Sequence, residues 1–104
     1  MCTFYCSGNQ IKEIPNEIQN LLELCIFNCS YNQLKKFPKE IGFLIKLYTL
    51  NISYNQIKEI PNEIENLIGL QIFNCSYNQI RELSHGLKKL NTLVSLDVVH
   101  NQIK

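Results

Sequence analysis

Apolar positions recur along this chain at a fixed spacing. One unit runs Leu44, Leu47, Leu50, Ile52, Asn55, Ile57, Ile60, Pro61 and Ile64 before Leu67 starts the series again. The unit before it reads Leu21, Leu24, Phe27, Cys29, Asn32, Leu34, Phe37, Pro38 and Ile41. The unit after it reads Leu67, Leu70, Phe73, Cys75, Asn78, Ile80, Leu83, Ser84 and Leu87, and a fifth, shorter unit gives Leu90, Leu93, Leu96, Val98, Asn101 and Ile103. The Asn of the Asn-Gln pair falls at 9, 32, 55, 78 and 101, a period of 23 without insertion. Self-similarity at such a period takes precedence over any local reading, because each repeat is then one structural unit that buries its apolar face on its neighbours.

Two kinds of element follow. Phe27-Asn28-Cys29 and its counterparts alternate apolar and polar residues, the pattern of a short strand with one face buried. Each unit contributes one such strand in the same direction, so stacked units form a parallel sheet with strands about 4.8 Å apart. The chain returns through Pro15-Asn16-Glu17-Ile18 and its copies. Pro at the first position and Glu in the first turn start a helix, and Ile18, Leu21 and Leu22 share a face, which predicts about two turns of α or 3₁₀ helix. In the fourth unit Ser84 stands in place of Pro and is expected to cap the segment from Gly86 to Leu90.

The shared pattern L-x-x-L-x-x-L-x-L-x-x-N-x-L-x-x-L-P-x-x-I-x-x-L resembles the leucine-rich repeat family, in its 23-residue class, over the whole chain. The resemblance implies an α/β solenoid with a curved parallel sheet on the concave side and short helices on the convex side. It also implies a continuous ladder of Asn9, Asn32, Asn55, Asn78 and Asn101. A buried carboxamide has two donors and an acceptor, enough to bridge successive turns of the coil where the backbone leaves the sheet. Residues 1–104 then form a single domain of about four and a half repeats without recognisable caps. Uncapped ends leave Phe4, Cys6, Ile11, Ile14, Ile18 and Leu21 without a preceding unit, the condition of either a piece of a longer array or a self-associating protein.

Composition narrows the function. The chain is 45% hydrophobic and 18% charged with a formal net charge of +1, so neither nucleic acid nor a strongly charged surface is called for. No apolar run approaches the roughly 18 residues of a membrane span, and the start lacks the pattern of a secretory signal. Five cysteines do not close a disulfide framework. Cys6, Cys29 and Cys75 share a repeat position with Ile52 and Val98, which marks core thiols and a reducing, cytoplasmic setting. Cys2 and Cys25 occupy another, more accessible position. No Gly-rich phosphate loop, metal-ligand cluster or nucleophile–base system is present, and His85 and His100, the latter near Asp97 and Tyr77, do not supply one. The chain reads as a non-enzyme without cofactor or metal.

What remains is surface. The resemblance implies that partners bind the concave face, built here from Tyr48 and from the columns Asn28, Asn51, Asn74; Ser30, Ser53, Ser76; and Tyr31, Tyr54, Tyr77, His100. Tyr in such a setting gives large amphipathic contact area at low entropic cost. The expected function is a protein-binding scaffold; the alternative is a homo-oligomer joined through its ends or concave faces, with Phe4, Cys2, Cys25 and Val99 as contact candidates. Beside the sheet run Lys12, Lys35, Lys58, Arg81 and Lys104, interleaved with Glu13, Lys36, Glu59 and Glu82, a solvated face expected to hold weak ion pairs. Asn-x-Ser occurs at Asn28, Asn51 and Asn74 as a by-product of repetition.

Overall fold

The computed structural model describes residues 2–103; Lys104 of the cationic column lies outside them. Five three-residue strands follow one another: β1 (Thr3–Tyr5), β2 (Ile26–Asn28), β3 (Thr49–Asn51), β4 (Ile72–Asn74) and β5 (Ser95–Asp97). They pair in parallel, in sequence order, and in register: Phe4, Phe27, Leu50, Phe73 and Leu96 form one row. The strands are short because only three residues of each repeat alternate before the ladder Asn takes the backbone away from the sheet.

The return segments are 3₁₀ helices, at Asn16–Asn20, Lys39–Phe43, Asn62–Asn66 and Leu87–Lys89. Pro15, Pro38 and Pro61 hold extended backbone just before the first three, with φ of −72°, −71° and −64° as the ring demands. Five residues at three per turn give close to two turns, and an amide on the next Leu closes each helix, as Leu44 N–H does on the Ile41 carbonyl at 3.0 Å. The fourth is shorter. Its Leu87 N–H is capped by Ser84 Oγ at 3.2 Å, as its place in the repeat predicts. Gly86 sits so close to the preceding repeat that a Cβ there would lie 2.1 Å from the Asn62 carbonyl oxygen.

Between sheet and helices lies a continuous core in which Leu24, Leu47 and Leu70 from the approach to each strand meet Phe27, Leu50 and Phe73 from the strands and Ile41, Ile64 and Leu87 from the returns. The predicted core sites Cys29, Ile52 and Cys75 are fully buried. Cys6, at the same position in the first repeat, is only half-buried, and so are Phe4, Ile11, Ile14 and Leu21. Ile18 is buried even there, because the second helix already covers it.

Candidate functional site

The ladder is built as the carboxamide chemistry predicts. In the middle repeats Asn32, Asn55 and Asn78 are buried. Asn55 Nδ2 donates to the Ile52 and Ser53 carbonyls of its own turn and across to the Cys29 carbonyl of the previous repeat, each at 3.1 Å. Its Oδ1 accepts the Leu34 N–H at 3.0 Å. Asn32, Asn78 and Asn101 repeat the arrangement, so each joins two turns of the coil. Asn9 reaches only carbonyls of its own turn and is exposed.

One residue before each ladder Asn, the chain must turn sharply outward. Gly8 does so at φ 74°, a region open to glycine. The same position in the later repeats holds Tyr31, Tyr54, Tyr77 and His100, all at φ 56–57°. Left-handed backbone is unfavourable for a bulky side chain. The turn throws these four side chains to the edge of the concave face, where they stack. Ring centroids are 4.1 Å apart for Tyr31–Tyr54, 4.2 Å for Tyr54–Tyr77 and 4.1 Å for Tyr77–His100, with interplanar angles of 10°, 8° and 19°. Stacked rings hide their faces from solvent and present a row of edges. The Tyr54 hydroxyl is held above the ordinary tyrosine value, to about 12, first by its hydrogen bond with Tyr31, then by burial and by Tyr77. Gln56 and Gln79 line the shallow groove beside the row.

Two polar columns lie next to it, and one of them corrects the sequence reading. Ser30, Ser53 and Ser76 do not face the concave surface. They are 3–4% exposed, and each hydroxyl donates at 2.7 Å to the Oδ1 of Asn28, Asn51 or Asn74, two residues earlier. The Ser amides donate to the same oxygens at 3.0 Å. The serines therefore pin the turn and are not available to a partner. Asn28, Asn51 and Asn74 are half-buried, with Oδ1 committed in this way and Nδ2 free of protein partners among the described residues. Tyr5 takes this position in the first repeat and is exposed, as is Tyr48 farther up the sheet.

The other candidates scatter. Phe4 packs on Phe27 at the first end, 5.3 Å between rings, whereas Val99 is exposed at the opposite end. Cys2 and Cys25 are neighbours in one column near the first end. Lys12, Lys35, Lys58 and Arg81 are solvated, but the expected ion pairs are not in that column. Both ion pairs among the described residues lie elsewhere, Lys46–Glu23 at 2.6 Å and Lys89–Glu65 at 3.4 Å, on exposed side chains. His85 borders a groove with Glu59, Glu82 and Lys88, and no group of three or more His, Cys, Asp or Glu converges among the described residues. Burial pushes the Cys75 thiol up to about 12, with Asp97 adding to it, and pushes Cys29 higher still. His100 takes its expected place in the column, but the left-handed turn under all four rungs was not anticipated. Gly8 in their column was the signal for the turn.

Known proteins agree with this architecture. Residues 45–103 match the family described as Leucine rich repeat. A leucine-rich repeat protein of Leptospira interrogans superposes with a TM-score of 0.89 at 32% identity, over 97% of this chain and 26% of its own. The ectodomain of the Arabidopsis thaliana membrane receptor kinase GASSHO1/SCHENGEN3, solved in complex with CASPARIAN STRIP INTEGRITY FACTOR 2, gives 0.89 at 36% identity, over 98% of this chain and 13% of its own. Internalin C2 of Listeria monocytogenes shares the fold with a TM-score of 0.90 at 24% identity, over 100% of this chain and 44% of its own. The chain thus spans less than half the length of each of these proteins, and no curated protein matches it. The chain belongs to the leucine-rich repeat family.

Proposed function

We propose that this chain is a protein-interaction module whose partner docks on the concave face, centred on Tyr31, Tyr54, Tyr77 and His100. Leucine-rich repeat domains generally mediate protein–protein interaction, and the plant receptor ectodomain was solved with another factor bound. The observation that carries the reading is the conformation of the aromatic row. Four bulky side chains occupy a backbone region that glycine or asparagine would fill with less strain. Outliers of this kind concentrate at binding and switch sites. The rings do not serve the core, since the three tyrosines are 37–55% exposed. Amphipathic aromatic edges beside the outward Nδ2 donors of Asn28, Asn51 and Asn74 suit a partner that brings carbonyl acceptors and apolar surface.

The test compares wild type with a Tyr54→Asn/Tyr77→Asn double variant as baits. Asparagine tolerates the left-handed turn, so the fold is kept while two rungs are removed. Proteins retained by wild type and lost by the variant, with unchanged circular dichroism, support the reading. An identical retained set overturns it.

A second reading, self-association, rests on a different place. The opening at the first end is lined almost entirely by apolar side chains, among them Phe4, Cys6, Ile11, Ile14, Leu21 and Phe27. Light scattering of wild type and Phe4→Asp over a concentration series decides it. A concentration-dependent oligomer that the Asp abolishes supports self-association, and a monomer throughout refutes it.

A further inference from the structure

Cys2 and Cys25 occupy the same repeat position on successive turns, and two hydrogen bonds clamp their backbones together. The Cys2 carbonyl accepts the Cys25 N–H at 2.7 Å and the Ile26 N–H at 2.9 Å. The pairing of Thr3 with Ile26 continues this register into the sheet. Parallel neighbours stand about 4.8 Å apart, inside the window of roughly 4.4–6.8 Å between Cα atoms that a disulfide spans. The neighbouring Cys2 side chain, and then burial, raise the Cys25 thiol above the ordinary range. The Cys25 Sγ donates to the Glu23 carbonyl oxygen at 3.4 Å. No other pair of repeats has this chemistry, because the next residues in the column are Tyr48, Gln71 and Val94.

The geometry points to a dithiol exchange site: we propose that Cys2 and Cys25 react with low-molecular-weight disulfides to close a disulfide between the first two repeats. Cys2 is exposed and attacks first; Cys25, half-buried and hydrogen-bonded, resolves. The Cys2 thiolate attacks one sulfur of the small disulfide, a mixed disulfide forms, and the first small thiolate leaves. The Cys25 thiol loses its proton to water and attacks Cys2 Sγ, the Cys2–Cys25 bond forms, and the second small thiolate leaves. Two thiols of the protein are oxidised and one small disulfide is reduced to two thiols. Cys29 and Cys75 are fully buried and stay out of the exchange.

The experiment treats reduced protein with oxidised glutathione and reads the intact mass, the oligomeric state and a chymotryptic map, since Phe4 and Tyr5 allow cleavage between Cys2 and Cys6. Expected are a monomer lighter by two hydrogens, a Cys2–Cys25 cross-linked peptide, and full reversal by dithiothreitol. Cys25→Ser should instead accumulate a stable glutathionyl adduct on Cys2, and Cys2→Ser should slow consumption of glutathione disulfide at least tenfold. Both substitutions are tolerated by the fold, because the column accepts Tyr, Gln and Val elsewhere. A wild-type adduct that persists on Cys2, a cross-link to Cys6 or between two chains, or an absence of reaction overturns the proposal.

Discussion

Replacing Asn55 with Ala separates the structural role of the Asn ladder from its appearance as a repeated motif. Four hydrogen bonds disappear, but their loss is unequal. The Cys29 carbonyl keeps Asn32 Nδ2 at 2.9 Å, the Ile52 carbonyl keeps Asn78 Nδ2 at 3.0 Å, and the Ser53 carbonyl keeps the Tyr31 N–H at 3.0 Å. Only the Leu34 N–H loses its sole acceptor, and Leu34 is fully buried, so water does not replace it. An orphaned buried donor costs about 1–3 kcal/mol, and the weakened carbonyls add roughly 1 kcal/mol, so Asn55→Ala should lose about 2–4 kcal/mol. Asn9→Ala offers the control. Asn9 is exposed, and its Nδ2 serves carbonyls of its own turn, one of which, that of Cys6, also accepts from Asn32 at 3.1 Å. The control should lose less than about 1 kcal/mol. Urea denaturation by far-UV circular dichroism measures both, with the slopes compared to confirm one transition. Equal losses for the two variants would refute the claim that burial of Leu34 N–H sets the cost.

Tyr54→Asn should lose no more than about 2 kcal/mol of stability, because two ring stacks of about 0.5–1.5 kcal/mol each are lost while about 1–2 kcal/mol of left-handed strain is relieved; a larger loss in urea denaturation would show the row to be structural. Gly86→Ala should destabilise by about 1–3 kcal/mol, since its Cβ meets the Asn62 carbonyl at 2.1 Å, while Gly69→Ala, whose nearest atoms are 3.9 Å away, should change the thermal midpoint little. Cys75 carries its thiol pKa up from 9.0 to about 12 in the folded state, so the folded protein holds a proton that the unfolded chain releases. Its contribution is whole below pH 9 and is lost as pH rises from there toward 12. Cys75→Val should flatten the alkaline decline of stability in a urea–pH series, and an unchanged slope would sink the assignment.

Repetition makes a sequence informative where the copies differ and uninformative where they agree. The position of Cys29 was readable as core because Ile52 and Val98 also stand there, and three side chains of different chemistry share only the property of fitting a small apolar site. The Asn ladder was readable for the opposite reason, since a carboxamide combines the donors and the acceptor that the turn requires and Asn carries it on the shortest arm. The convex contact at Gly86 could not be read, because it depends on how closely two return segments approach. Ser30, Ser53 and Ser76 were misplaced by extending the strand's alternation two residues past Asn28, Asn51 and Asn74, where the backbone has already left the sheet. Three identical serines hold nothing to correct that error, but the outer repeats do. Where Tyr5 replaces the Asn, Ser7 is exposed, and where Asp97 replaces it, the residue two later is Val99. Ser turns inward in the three repeats where the Asn two residues before it offers Oδ1 to its hydroxyl. The same comparison identifies the left-handed turn, since a column that begins with Gly8 and continues with Tyr31 tolerates its aromatic rings in spite of the backbone and not because of it. That strain is the ground on which the proposed docking at the concave face rests.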